Sequence, residues 1–431
     1  MEYIPIIILV LSFLSFLLIG VPVAWSIAIS SLLTMFASIP VLPALTTVSQ
    51  RIGTGLDSFA LLAIPFFVLS GQLMNKGGIA HRLINFAKTL VGSLPGGLAL
   101  INVIAAMLMG SIAGSAMASA SAMGSILGPE MEKEGYSKEF GAAVNITSST
   151  IGLIIPPSNV LIVYSLASGG VSIAALFIAG YIPGILTGLL LMVVASFWAK
   201  KKGYKLGERS SFKAVGKTFI DAFPSLMLLV VVIGGIVVGI FTATEASAIA
   251  VLYTLILGFW YKEITVKDLP QILLDSCGTT AIVMLLIGAS MSMSWVMSYE
   301  NIPQNISEVL LGISDNKIVI LLIINFLLLF VGIFMDMTPA VLIFTPIFLP
   351  IITKLGMDPV QFGIIMVLNL CVGLCTPPVG SVLFVGVGIA NTTIEKVVKP
   401  LLPLFLAMIL ALMLITYVPS LSLWLPSVFG L

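Results

Sequence analysis

Long apolar runs separated by short polar or Gly/Pro-rich connections dominate this chain. They predict membrane helices at residues 3–20, 22–39, 57–75, 138–168, 172–199, 218–241, 243–261, 274–297, 359–390 and 397–420. Runs of this length span a hydrocarbon core about 30 Å thick, where the backbone must close its hydrogen bonds within helices or a closed barrel. Two further apolar stretches, 95–128 and 316–353, are interrupted midway by Gly110-Ser111-Ile112-Ala113-Gly114-Ser115 and by Asp336-Met337-Thr338-Pro339. Each fits either two crossings or one re-entrant hairpin.

The basic residues set the orientation, because Lys and Arg near helix ends stay on the cytoplasmic side. With both stretches re-entrant and the N-terminus outside, 16 of the 19 fall inside: Lys76, Arg82, Lys88, Lys133, Lys138, the seven from Lys200 to Lys217, Lys262, Lys267, Lys396 and Lys399. Arg51, Lys317 and Lys354 fall outside. Two crossings would return the chain to the same side as a re-entrant hairpin, so this count holds on either reading, and the broken middles are read as re-entrant tips. Both termini are therefore expected outside. Ile79 to Leu90 reads as a helix along the cytoplasmic interface, with His81 and Arg82 on lipid headgroups.

The two halves resemble each other. Pro129, Gly135 and the pair Pro156-Pro157 recur as Pro350, Gly356 and Pro377-Pro378, all displaced by 221 residues, and Gly152 and Gly373 each precede their proline pair by four. Such agreement marks an internal duplication. Residues 1–210 form one copy (hairpin 95–128, broken helix 138–168) and 211–431 the other (hairpin 316–353, broken helix 359–390). Each copy holds five crossings and one hairpin, and an odd number of crossings gives the copies opposite orientation. The expected fold is an all-α polytopic membrane protein of two inverted repeats, a plan secondary transporters use with the site at the repeat interface.

Composition agrees and excludes other classes. Hydrophobic residues make up 59%, charged residues 9%, and the formal net charge is +1, with mean hydropathy +1.20. This is neither a soluble domain nor a nucleic-acid binder. The first run follows Glu2 rather than a basic segment, so it reads as a helix and not a cleaved leader. Cys371 and Cys375 share a helix face, but two thiols are too few for a metal site, and packing explains them. One histidine and scattered acids supply no nucleophile and base constellation, which argues against an enzyme.

The chemistry gathers at the interruptions. A proline pair removes two N–H donors and forces the helix open. The freed carbonyls must then be buried in protein or line a cavity where a cation replaces the donor. Prolines that merely kink a helix, and small residues at Gly110–Ser125 that merely pack, are the plainer readings. Asp336 stands out, because a carboxylate at membrane depth costs about 2.5–3.5 kcal/mol and by default lines a pathway or pairs with a cation. Glu245, in Thr242-Ala243-Thr244-Glu245-Ala246, fits an N-terminal cap as well as a function.

In these motifs the chain resembles the large membrane subunit (M, or DctM-like) of tripartite ATP-independent periplasmic (TRAP) transporters, essentially end to end. The resemblance implies an elevator carrier in the bacterial inner membrane, with both termini periplasmic and a moving part at about 95–168 and 316–390. It implies Na+ coupling with two or more ions, a separate small four-helix membrane subunit, and a periplasmic binding protein that delivers a small organic anion. Carried over, the first cation site falls on Ser111, Ser115, Ser148, Ser149 and Gly152, and the second on Gly332, Asp336, Thr338, Gly373 and Thr376. The substrate would lie near Ser115, Ser158, Asn159, Gly380 and Ser381. A stand-alone sodium/dicarboxylate symporter of the divalent-anion type is the alternative with the same plan.

Overall fold

The computed structural model describes residues 4–113, 115–204, 211–314 and 316–431; Lys205, Arg209 and the side chain of Ser111 lie outside the described residues. Helices of the first half are α1 (Ile4–Ile19), α2 (Val23–Ser38), α3 (Val41–Leu56), α4 (Ala63–Lys76, entered through a 3-10 turn), α5 (Ile79–Val91), α6 (Gly97–Ala113), α7 (Ala116–Lys133), α8 (Lys138–Ile151), α9 (Asn159–Ala167) and α10 (Ile173–Lys202). The second half holds α11 (Phe212–Val237), α12 (Ala243–Trp260), α13 (Leu269–Tyr299), α14 (Ile302–Ile313), α15 (Lys317–Phe334), α16 (Met337–Lys354), α17 (Pro359–Leu374), α18 (Ser381–Ile389), α19 (Ile394–Tyr417) and α20 (Ser420–Val428). No strand occurs among the described residues, and eight helical segments are long and apolar enough to cross a bilayer. Leu18, Phe197, Trp260 and Phe326 are more than two-thirds exposed, a surface that suits lipid and not water.

Local sequence explains the helix boundaries. Ser137, Ser172, Ser211 and Asp358 each accept an N–H from the first turn of the helix they open. Thr242 and Glu245 form a reciprocal capping box at α12, which accounts for that acid. Lys200–Lys202 close α10, and Gly203 follows at φ +70°, a left-handed stop. Buried hydroxyls turn back onto their own helix: Thr34, Thr187 and Thr254 each donate to the carbonyl four residues earlier.

Three helices escape the apolar-run reading. α3, α14 and α20 bury only narrow faces, such as Ala44 and Val48 in α3 or Ser422 and Pro426 in α20, so no long hydrophobic run announces them. Arg82 needs correcting too. α5 forms where expected, but the Arg82 guanidinium lies 3.6 Å from the centroid of the Tyr261 ring and 3.5 Å from the Asp221 carboxylate. It holds α5 to α11 and the end of α12 rather than meeting headgroups.

Two packed groups result. In one, α4 lies on α12, α13 on α2, α3 and α4, and α11 on α5 and α12. In the other, α6 and α7 pack on α8, and α15 and α16 on α17. The short helices after the breaks cross over: α9 packs on α16 of the second half, and α18 packs on α7 and α8 of the first. α10 and α19 join this second group, α10 on α6 and α17, α19 on α8. Helices α7 and α16 stand 221 residues apart at both ends.

Candidate functional site

Helix α8 ends at Ile151, and Pro156 and Pro157 are joined by a cis peptide bond before α9 begins. The N–H groups that would meet the Leu153 carbonyl in a continuous helix belong to those prolines. Instead the Ser158 hydroxyl donates to Leu153 O at 2.5 Å and accepts the Leu161 N–H at 3.5 Å. The first break is thus closed by its own side chain. Removing that hydroxyl leaves a buried carbonyl without a donor, which costs about 1–3 kcal/mol. Ser158→Ala should accordingly lower the thermal unfolding midpoint of the purified protein, and Ser158→Thr should restore most of it; equal midpoints for all three would show that the carbonyl is satisfied otherwise.

The second break is built differently. Pro377 and Pro378 are again cis, but the residue opening α18 is Gly380, at φ +34° and without a hydroxyl. Its N–H donates to Ile333 O of the hairpin at 3.1 Å. A Cβ placed there would lie 2.7 Å from Leu374 O and 2.9 Å from Thr376 O, so two carbonyl oxygens close on a position that only glycine fits. The Thr376 hydroxyl donates to Val372 O at 2.7 Å.

The hairpin meets this break backbone to backbone. A Cβ on Gly373 would lie 2.6 Å from both Cα and C of Gly332, so α15 and α17 touch without side chains between them. Asp336, four residues beyond Gly332, opens α16 without a side-chain capping hydrogen bond; its carboxylate meets the backbone N–H of the adjacent Met337. It is exposed to a cavity of about 320 Å³ that also reaches Ser115, Asn159 and Thr338. Both hairpin tips and both post-break helices border that space, with Val382 representing α18.

Ser115 caps α7, accepting the Ala118 N–H at 3.3 Å. Ser148 and Ser149 are fully buried behind the cavity, and their hydroxyls reach the Asn145 carbonyl at 3.3 and 2.6 Å. Ser148 also donates to Asn102 Oδ1 of α6 at 2.8 Å; the second half has a similar tie, Asn369 donating to Asn325 of α15 at 2.7 Å. Gly152 lies at the end of α8, and Ser381 Oγ is buried without a hydrogen-bond partner. The structure therefore brings Ser115, Asn159, Asp336 and Thr338 into one cavity, whereas Ser148, Ser149, Gly152, Ser158, Gly332, Gly373, Thr376, Gly380 and Ser381 lie outside its lining. Sequence reasoning missed Gln72 and Asn75 of α4 and Thr279 of α13, which line the opposite wall. The i, i+3 spacing of Gln72 and Asn75 in an apolar helix was the available signal.

Cys371 and Cys375 lie where α17 meets α8, their thiols directed to Thr150 O at 3.2 Å and Ile146 O at 3.5 Å. Among the described residues, no group of three or more His, Cys, Asp or Glu is placed to hold a metal ion.

A cavity with a few polar side chains between two broken helices and two hairpin tips, inside an all-helical apolar body, is the candidate site. The family model described as "Tripartite ATP-independent periplasmic transporter, DctM component" matches residues 10–421. The chain belongs to that family. As a DctM component it is a multi-pass membrane subunit of a transporter and not an enzyme. It is 57% identical to the uncharacterized protein YgiK of Salmonella typhimurium over 100% of this chain and 99% of that protein. Identity is 38% to the C4-dicarboxylate TRAP transporter large permease protein DctM of Rhodobacter capsulatus, over 97% and 98% of the two chains. It is 42% to the isethionate TRAP transporter permease protein DctMQ of Oleidesulfovibrio alaskensis, covering 96% of this DctM chain and 65% of that longer protein. The fold is similar to the YdaH transporter of Alcanivorax borkumensis, with TM-score 0.64 and 14% sequence identity over 90% and 89% of the chains.

Proposed function

We propose that this DctM chain is the substrate-translocating subunit of a sodium-coupled importer of a small organic anion, working as an elevator with a separate small membrane subunit and a periplasmic binding protein. The observation that carries the reading is the single cavity shared by both hairpin tips, Asp336 and the polar wall of α4 and α13. One wall belongs to the hairpin group and the other to the α4–α13 group, as a site requires if one body slides past another.

The moving body comprises the hairpins and broken helices together with α10 and α19, because those two pack onto α6, α8 and α17. Its two copies run in opposite directions through the membrane. The first sodium ion sits at Ser111, Ser115, Ser148, Ser149 and Gly152. The second sits at Gly332, Asp336, Thr338, Gly373 and Thr376, where carbonyls left free by the proline pair share it with the carboxylate. Sodium draws each hairpin onto its break and completes the anion site between Ser115, Ser158, Asn159, Gly380 and Ser381. Gln72 and Asn75 precede Lys76 at the end of α4, so with Lys76 in the cytoplasm the cavity faces inward.

The driving force is adequate. Two sodium ions entering down a tenfold gradient release about 2.7 kcal/mol, and one net charge crossing 100 mV adds about 2.3 kcal/mol. The relatives named above for isethionate and C4-dicarboxylate support a small organic acid as the substrate.

Uptake of a labelled organic-acid panel into proteoliposomes tests this directly, with the small subunit, binding protein and inward sodium gradient each present or omitted. Accumulation that needs all of them is expected. Accumulation by this chain alone would replace the tripartite reading with that of a stand-alone symporter, and indifference to sodium would remove the coupling.

A further inference from the structure

A second cavity, of about 230 Å³, lies within the hairpin group between α7, α8 and α18, away from the substrate cavity. At its inner end stands Asn145, 3% exposed. Its amide nitrogen is fixed by donating to Ala120 O at 2.7 Å, and its Oδ1 has no hydrogen-bond partner. A buried acceptor without a donor is costly unless something else meets it.

The duplicated half shows that the space is not a by-product of the fold. Gly124, Gly141 and Asn145 border the first-half cavity; the residues 221 positions later are Thr345, Phe362 and Met366, all buried. There the Thr345 hydroxyl contacts Met366 Sδ at 3.3 Å, and the Tyr164 ring packs against Gly363 so closely that a Cβ would lie 2.5 Å from it. One copy fills this position with aromatic and thioether groups, and the other keeps it open with glycines and an amide.

The surrounding charge favours a cation. The C-terminal end of α18 borders the cavity, and a helix C-terminus carries partial negative charge. At the mouth, Glu132 pairs with Lys138 at 3.4 Å, so that lysine is already neutralised, and the first-turn N–H of Phe140 in α8 is taken up by the Ser137 hydroxyl. Asn145 also joins the cavity to the proposed first ion site, because its carbonyl accepts both the Ser148 and Ser149 hydroxyls.

We propose that this cavity is a cation vestibule: a partly hydrated monovalent cation binds at Asn145 Oδ1 and passes between the first ion site and the cytoplasm by a route separate from the substrate cavity. This rests on the sodium-coupled reading above, and on Lys133 and Lys138 marking the cytoplasmic side.

Two variants test it in the assembled transporter. Ser125, on the cavity wall, is replaced as Ser125→Cys in a Cys277→Ser background, since Cys277 is exposed while Cys371 and Cys375 are buried. Sodium at constant ionic strength, against choline, should slow labelling by an impermeant cationic thiol reagent from the cytoplasmic side about five-fold or more. Gly128→Leu fills the mouth with the residue found 221 positions later, Leu349, and a Cβ there meets nothing within 4 Å. It should slow release of labelled sodium into the cytoplasmic compartment by a similar factor and leave periplasmic substrate affinity unchanged. Labelling indifferent to sodium together with normal release in Gly128→Leu would make the cavity a hydration pocket and overturn the proposal. Failure of sodium coupling itself would show separately, as sodium-independent uptake by the unsubstituted protein. Sodium protection of Ser125→Cys needs no turnover and would still identify a cation site.

Discussion

Asp336→Ala is expected to reduce sodium-driven accumulation by about two orders of magnitude while leaving the protein folded and assembled with its small subunit. Among the described residues Asp336 is the only carboxylate lining the cavity that both hairpin tips share, and its side chain makes no capping hydrogen bond to α16, so its removal breaks no cap. A carboxylate at this depth costs about 2.5–3.5 kcal/mol, and a cation that offsets the cost binds more tightly by a comparable amount, where each 1.4 kcal/mol is about tenfold. Asp336→Asn keeps the shape and loses the charge, so it should resemble alanine in transport and the native protein in thermal unfolding. Uptake, its sodium concentration dependence and the unfolding midpoint would be measured together. Native sodium dependence in either variant would remove Asp336 from the second ion site.

Gly373→Ala should be nearly as damaging, by a different route. Its added Cβ would lie 2.6 Å from the Gly332 backbone, where no side chain can rotate away, so α15 and α17 must separate. Overpacking in a tight core costs about 1–3 kcal/mol, and the displacement falls beside the second break, at residues of the proposed second ion site. A clear drop in unfolding midpoint and loss of uptake are expected. Gly234→Ala is the matched control, since a Cβ there meets nothing within 4 Å and alanine favours the helix by about 1 kcal/mol. If Gly373→Ala transported normally, the close approach would have no part in forming the site.

What the sequence discloses follows from how lipid constrains a chain. Paired prolines, a carboxylate and a serine-rich turn are conspicuous in apolar runs, so both breaks and both hairpin tips could be read directly. Positions whose meaning depends on a neighbouring element stayed hidden. Gln72, Asn75 and Thr279 are isolated polar residues until α4 and α13 face the hairpins. Arg82 looked like a surface cation because Tyr261 and Asp221, which hold it, lie far along the chain. The short helices α3, α14 and α20 carry stripes too narrow to stand out from hydropathy. The contrast between Ser158 and Gly380 was visible as letters, but only the hydrogen bond to Leu153 shows that one break is self-satisfied and the other is not.

The exchange of short helices between halves bears on how the protein is made. α9 packs on α16 and α18 on α7, so the nascent first half leaves the ribosome with a face of α9 waiting for a partner synthesised some time later. Until α16 enters the bilayer, the earlier helices can insert but cannot reach their final arrangement. Biogenesis therefore ends in one late step that closes both halves at once, and a chain arrested before α16 would present an incomplete surface for membrane proteases to recognise.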